Sequence, residues 1–354
     1  MDLIKYLALD LHIATITFVV MSAAGRVLQQ GCIPTGTAEI RRLIKGIRGQ
    51  LRVTFEEGTL SQWAYEIIEP LAHQVIVCNP RRNRLLSEGS KGDRIDAHKL
   101  ADLHRTGMLE AVYHGQSGSR ILKELVALYI GIVSDTTRVM SRLKAVYRSR
   151  GIQTGQRAVY YEKNRQEWLS KLDRPEKRQR AEMLHRQLDQ LMVLRREAKK
   201  KMLRAARAES GYKILISIPG LGPIRVAILL AIVVTPQRFR SKRQFWTYCG
   251  LSVVMRTSSD YKITNGRAVR VRRQTDTRGL TRDFNHLLKY VLKSAATEAI
   301  RRGSFQDFYR IRIEKNIAPE MVRLTVARKI AALVLVLWKK GEMFDGKVML
   351  KLTA

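Results

Sequence analysis

Along the first 80 residues the apolar positions come in short runs, and their period switches between two and nearly four. Residues 6–10 and 14–20 are β-type runs separated by Leu11-His12-Ile13; Ser22-Ala23-Ala24-Gly25 reads as a turn, and 27–33 follows as a third strand. From Thr37 the period becomes helical, with Leu43, Ile44 and Ile47 as the apolar positions. Residues 51–55 return to a strand, 60–71 to a helix, and 74–78 to a strand that Asn79-Pro80 stops.

A basic, glycine-containing stretch at 81–95 precedes a helix that starts at or next to Asp93 and runs through Leu100 and Leu103. Residues 121–147 read as a second long helix, and the charged segment 148–180, with its glycines and Pro175, as a connection or a broken helix. In 182–207, Leu184, Leu188, Leu191, Ala198 and Met202 keep a coiled-coil spacing that Arg195 interrupts, with Leu194 alongside. That seam predicts either a dimerising or spacer coiled coil, or a helix packed within its own chain. After 214–218 come the turn Pro219-Gly220-Leu221-Gly222-Pro223 and an apolar helix at 224–234. Residues 236–280 are polar, basic and turn-rich, and 283–302 and 319–340 read as two further helices. Three antiparallel strands and then alternating helices and strands is the order of a ribonuclease-H-like α/β fold. The expected chain is therefore α/β followed by mostly α: a catalytic-type domain at 1–120, a helical, coiled-coil linker at 121–207, and a C-terminal domain at 208–354.

Charge divides the chain in the same place. The 354 residues hold 65 Lys+Arg against 31 Asp+Glu, a formal net charge of +34, yet 45% are hydrophobic, which excludes a disordered basic tail. Residues 1–140 carry 17 basic and 14 acidic side chains, net +3, whereas 141–354 carry 48 and 17, net +31. The second part reads as a polyanion-binding surface, most often for nucleic acid, with salt-dependent affinity. No purely apolar run is longer than that of 226–234, about half a membrane span, so no transmembrane helix is expected. The N-terminus carries an acid at once and lacks a signal-peptide layout. Cys32, Cys78 and Cys249 are far apart and odd in number, against a disulfide framework or a cysteine zinc site and in keeping with a reducing cytoplasm.

Four acids stand where strands end or helices begin. Asp10 closes the first strand, Glu56 follows RVTF, and Asp93 and Asp96 share one face at a helix start. Carboxylates are poor neighbours for DNA phosphates unless cations intervene; clustered with two Mg²⁺ they can orient an attacking oxygen and stabilise a leaving one. Each has a plainer reading: Asp93 as a helix cap, Glu56 beside Glu57 as surface charge. Asp10 is harder to dismiss, because a bare carboxylate ending a buried strand is costly without a partner. His12 follows Asp10 by two and could serve as a metal or proton-transfer group, although a lone histidine is more often structural; His98 and His104 are expected to lie on a helix surface.

The ordered set ALDLH, FEEGT, NPRRNR and KGDRIDAHKLADL, continued by SIPGLGPIRVAILLAIVVTPQRFRSKRQFWTYCGL and MRTSSDYKI, resembles the DEDD, RuvC-like transposases of one insertion-sequence family. That family includes the pilin-gene invertases and is understood as RNA-bridged serine recombinases. The resemblance covers nearly the whole chain and is carried by the order of the motifs. It implies a RuvC-like domain whose metal-binding, catalytic acids are Asp10, Glu56, Asp93 and Asp96. It implies a nucleophilic serine in the polar turn after Gly250-Leu251, placed at Ser258 with Ser259 as runner-up. Two positions depart from the family: Glu57-Gly58-Thr59 follows Glu56 where a small residue and Thr-Gly are usual, which leaves Glu57 as a substitute ligand, and Gly92 stands where Thr or Asn often precedes the first Asp. The implied cofactors are Mg²⁺ and an element-encoded bridge RNA; the implied partners are donor DNA, target DNA and a second or further copies of the chain, as a homodimer or homotetramer.

Other positions fit nucleic acid from the residues themselves. Gly220 and Gly222 form a helix-hairpin-helix-like turn through which backbone N–H groups can approach a phosphate. Arg240, Lys242 and Arg243 interleave with Phe239, Phe245, Trp246 and Tyr248; Phe245 and Tyr248 are expected in the core and the cations at the contact. Arg256, Lys262, Arg270, Arg272 and Arg273 stand ready to offset phosphate charge beside the serine turn. The reading is a transposase or site-specific recombinase that cuts and rejoins DNA. Its rivals are a metal-dependent, junction-resolvase-type nuclease that uses water, and a non-enzymatic nucleic-acid-binding scaffold.

Overall fold

Strands β1 (Lys5–Leu11), β2 (Thr15–Ser22) and β3 (Val27–Pro34) form an antiparallel meander, and β4 (Leu51–Glu56) and β5 (Gln74–Cys78) extend it in parallel from β1, giving the order β3-β2-β1-β4-β5. The computed structural model describes residues 4–79, 92–114, 120–256, 261–264, 266–270 and 276–345. They divide into two units after Gly115. The first is mixed α/β around this five-stranded sheet; the second is mostly helical.

Alternation along the strands decides what covers each face of the sheet. Leu7 and Leu9 of β1, with Val53 and Phe55 of β4, point to one side, where Ile40 and Ile44 of α1 (Thr37–Lys45) and Ala64, Ile67 and Ile68 of α2 (Ser61–Ile68) close over them. Tyr6 and Ala8 point to the other side and meet Ala97, Leu100 and Ala101 of α3 (Asp93–Arg105), together with Val19, Met21 and Cys78. The alanines at this contact let the α3 backbone come close to β1. Edge strand β3 is exposed along nearly its whole length.

His104 does not lie on the helix surface. It continues the 97-100-101 stripe at helical spacing, is only 5% exposed, and sits edge-on to the Tyr6 ring at 5.2 Å. Neither of its ring nitrogens has a hydrogen-bond partner. His98, one position outside the stripe, is exposed.

In the second unit α4 (Arg120–Arg148) and α6 (Pro175–Ala208) form an antiparallel hairpin. The direction follows from the partners: Leu122, Val126 and Tyr129 share a core with Ala198, Met202 and Ala206, while Val139, Leu143 and Val146 share one with Ala181, Leu184 and Leu188. The seam read on α6 is therefore met by α4 of the same chain. Between the two clusters Met192, Val193 and Leu194 are exposed. Pro175 does not break a helix; it occupies the first turn of α6, where its missing N–H is no loss. The segment before it holds two 3₁₀ turns and α5 (Arg165–Ser170), whose Trp168 and Leu169 cap the far end of the hairpin.

α7 (Tyr212–Ile216), α8 (Pro223–Val233), α10 (His286–Arg302) and α12 (Pro319–Lys340) build the large core, in which α8 is buried on nearly every side. The polar stretch after it is more regular than its composition suggests. It contains α9 (Lys242–Tyr248) and the short strands β6 (Val253–Arg256), β7 (Tyr261–Thr264), β8 (Arg267–Arg270) and β9 (Asp276–Leu280), paired β6-β9 and β7-β8. α11 (Gln306–Glu314), anchored by Phe308, also escaped the sequence reading. Cys32, Cys78 and Cys249 are free thiols, and among the described residues no helix is long and apolar enough to cross a membrane.

Candidate metal centre

The topology brings the acids together in three steps. β1 and β4 are parallel and in register through Leu9 and Phe55, so Asp10 and Glu56 stand at the same level, at the carboxyl ends of adjacent strands. Both lie on the face of Ala8 and Thr54, the α3 side. α3 begins at that level, and Asp93 and Asp96 lead the stripe that continues through Ala97 and Leu100 into the core. Packing of the α3 stripe on β1 therefore carries Asp93 and Asp96 to Asp10.

The electrostatics report this crowding. Burial raises the Asp10 carboxyl above its ordinary range; His12 pulls it down, while the charges of Asp93 and Asp96 push it up. Glu56 is raised by burial first, then by Asp10 and Asp96. The Cys78 thiol, opposite Glu56 on β5, is pushed up to about 12 by burial and by the Glu56 charge, so it stays protonated and inert. Glu57 is exposed and alternates to the other side, its N–H bonded to the Cys78 carbonyl; the geometry brings Glu56 rather than Glu57 to Asp10.

A divalent cation fits this donor set. One oxygen of Asp96, Oδ1, is buried with no hydrogen-bond partner, a costly state for a carboxylate. Carboxylates gathered at the end of a sheet supply the hard oxygen ligands that Mg²⁺ or Mn²⁺ takes, and ligand atoms of Asp10, Asp93 and His12 lie within 4.8 Å of one another. Asp10, Glu56, Asp93 and Asp96 would hold the ion or ions.

His12, for which the sequence leaves a structural and a metal or proton-transfer reading, lies inside this cluster. Its Nε2 is 3.2 Å from Asp10 Oδ2 and 3.9 Å from Asp93 Oδ1. Both of its backbone groups are tied down: its N–H donates to the Thr15 carbonyl, and its own carbonyl accepts from Thr35 Oγ1 at 2.6 Å. The sequence did carry a signal for it, since residues two apart on a strand end share a side.

The nucleic-acid candidates lie in the second unit. Gly220 has φ +81°, and a Cβ there would stand 2.2 Å from the Ala295 carbonyl oxygen, so its smallness serves the packing of the turn on α10. Arg225 clamps the same turn, donating to the Gly220 carbonyl and to Ser294 Oγ. Gly222, by contrast, faces open space at the start of α8. Arg240, Lys242 and Arg243 are exposed, whereas Phe239 and Phe245 are buried edge to face and Tyr248 is partly buried against Phe239. Arg256, Lys262 and Arg270 lie on β6, β7 and β8. Ser258, Ser259, Arg272 and Arg273 lie outside the described residues. The chain leading to the serines is fixed from α12: Arg328 Nε donates to the Leu251 carbonyl at 2.7 Å, and Trp246 Nε1 donates to the Arg328 carbonyl.

Comparison with known proteins matches the chain in two places. Residues 7–149 match a transposase family defined by the DEDD domain of IS110 elements. Residues 212–310 match the family described as transposase IS116/IS110/IS902. A protein of Sinorhizobium fredii (strain NBRC 101917 / NGR234) described as a transposase, y4pF/y4sB, is 22% identical over 293 residues, covering 81% of this chain and 72% of the relative. With its acidic, metal-suited domain and its helical domain each matched in order, the chain belongs to the IS110 family of transposases, enzymes that act on DNA.

Proposed function

We propose that this transposase is an RNA-guided serine recombinase. Its ribonuclease-H-like, RuvC-like first unit holds divalent metal on Asp10, Glu56, Asp93 and Asp96, and its second unit presents Ser258 to DNA. The observation that carries the metal part is the convergence of the four carboxylates with Asp96 Oδ1 buried and unpartnered. Metal bound there supplies charge neutralisation to a scissile phosphate.

The rest belongs to the chain's own residues. Ser258 Oγ forms a bond to phosphorus as a deoxyribose oxygen–phosphorus bond breaks, and the hydroxyl proton ends on the freed deoxyribose oxygen. The reverse step rejoins strands. Arg256, Lys262, Arg270, Arg272 and Arg273 offset phosphate charge around the serine, and Arg240, Lys242 and Arg243 extend the basic surface. Positive charge concentrated after residue 140 supports the binding of two DNA duplexes and a structured bridge RNA, with base pairing reading the sequence and the protein reading shape. The exposed Met192, Val193 and Leu194 on α6 support assembly into a homodimer or homotetramer. The protein is assigned to the cytoplasm, where its three free thiols would stay reduced.

A second reading is favoured by one fact: all four acids belong to one unit. That arrangement suits a metal-dependent nuclease in which water attacks and Ser258 is structural. Incubation with labelled target DNA in Mg²⁺ separates the two. A recombinase leaves a covalent protein–DNA adduct that Ser258→Ala abolishes while DNA binding persists. Cleavage at an unchanged rate by Ser258→Ala would establish the nuclease instead. Loss of cutting in Asp10→Asn is expected under both readings, and its absence would remove the metal centre. Sequencing of RNA that co-purifies with the protein tests the guide.

A further inference from the structure

The acids at the end of the sheet are not equivalent. Asp96 keeps one oxygen buried and without a hydrogen-bond partner, and its charge raises Asp10 and Glu56. Asp93 lies on the solvent side, its side chain 61% exposed, and beside it stands His12, 53% exposed. One ligand atom each from Asp10, His12 and Asp93 can be chosen so that all lie within 4.8 Å of one another. Adjacent ligands on a six-coordinate ion with bonds of roughly 2.1–2.2 Å stand about 3 Å apart. The 3.2 Å between His12 Nε2 and Asp10 Oδ2 already has that spacing. The 3.9 Å to Asp93 is closed by a small rotation of an exposed side chain.

From this geometry we propose that His12 is a metal ligand. Its Nε2 completes a cation position with Asp10 and Asp93, and it biases that position toward a borderline transition ion such as Mn²⁺ over Mg²⁺.

The ring is held for that role. Backbone bonds to Thr15 and Thr35 fix the turn that carries it, so Nε2 approaches the carboxylates without further loss of chain entropy. In the tautomer protonated at Nδ1, Nε2 turns a lone pair toward two carboxylate oxygens, an arrangement that only a cation makes favourable. Imidazole nitrogen prefers later, softer divalent ions, whereas carboxylate and water suit Mg²⁺ equally well. Selectivity therefore resides in this one residue.

The proposal rests on the metal-centre reading above, and the experiment separates the two. The full-length protein is loaded with Mn²⁺ and its pulsed paramagnetic-resonance spectrum is recorded for nitrogen-14 modulation. Mn²⁺ and Mg²⁺ affinities are measured by calorimetry for wild type, His12→Ala, His12→Gln and Asp10→Asn. Nitrogen modulation is expected in wild type and lost in both His12 variants. Mn²⁺ affinity is expected to fall roughly ten- to hundredfold in those variants, with Mg²⁺ affinity changing by under about threefold. Mn²⁺ bound to wild type without nitrogen coupling, coupling that survives His12→Ala, or an equal fall for both ions would each overturn the assignment of His12. Asp10→Asn probes the underlying reading: unchanged binding of both ions in that variant would refute the metal centre itself. Because His12 is an exposed turn residue, its variants are expected to keep the circular dichroism of wild type.

Discussion

His104 links the stability of the candidate site to pH, and the effect can be worked out from its surroundings. It lies between α3, which carries Asp93 and Asp96, and β1, which carries Asp10, with both ring nitrogens unpartnered. Burial, and then the charge of Arg52, lowers its pKa from 6.5 to about 4. The folded chain thus resists protonation that the unfolded chain accepts. Stability associated with neutral His104 is fully present above the unfolded value and is lost as pH falls from there toward the folded value. The difference between the two titrations amounts to about 2 kcal/mol at pH 5 and about 3 kcal/mol near pH 4. Asp10 and Glu56 act in the opposite sense. Their raised values mean that acidification relieves the cost of burying charge, and then repulsion, in the metal-free site, so wild type alone would show a blurred profile. A comparison with His104→Leu cancels those carboxylates. Amide hydrogen exchange along α3 in chelator-treated protein, at a series of pH values, reads the local opening energy of each variant. The gap between the two proteins should move by about 2 kcal/mol in favour of the leucine variant between pH 7.5 and pH 5. Parallel profiles, after correction for intrinsic exchange, would refute the claim that a neutral, unpartnered histidine holds α3 on β1.

Other expectations follow from the same geometry. In metal-free protein, Asp96→Asn removes a charge that opposes Asp10 and Glu56, so thermal unfolding should occur at an equal or higher temperature than in wild type, by up to roughly 1 kcal/mol, while metal affinity falls; a lower melting temperature would contradict the repulsion. Saturating Mg²⁺ should stabilise the first unit by about 2.7 kcal/mol at a hundred times its dissociation constant, reversed by chelator and absent in Asp10→Asn, as followed by differential scanning calorimetry. Gly220→Ala should lose roughly 2–4 kcal/mol, from the positive φ and the collision with the Ala295 carbonyl. Gly222→Ala should leave the melting temperature nearly unchanged and lower nucleic-acid affinity in a gel-shift titration; the opposite pattern would exchange the roles of the two glycines. Met202→Ala, at a buried position in the α4–α6 seam, should lose about 2–5 kcal/mol in urea unfolding.

Local pattern determined the elements with strong periods. The strand runs at 6–10, 14–20, 27–33, 51–55 and 74–78 correspond to β1 through β5; β1 and β2, covered on both faces, carry apolar residues at nearly every position, whereas the edge strand β3 is exposed along nearly its whole length. The helix at 319–340 matched to the residue, with Pro319 opening it and Gly341 closing it in the left-handed conformation. Weak local signals hid other elements. β6 to β9 are four- and five-residue strands in a basic stretch, and α11 is amphipathic around few apolar residues. Nothing in the seam of α6 distinguished a second chain from α4, since a helix face encodes its apolar stripe and not its partner.

Candidate chemistry divided along the same line. The sequence by itself set the residue types, a net charge of +34 and its placement after residue 140, and the order of Asp10, Glu56, Asp93 and Asp96 along the chain. Tertiary structure decided that Glu56 and not Glu57 turns toward Asp10, which of the two readings of His12 applies, and that His104 is interior. Each depends on strand register and on the face by which α3 docks on the sheet, and a one-residue change in either would redirect those side chains without altering any local pattern.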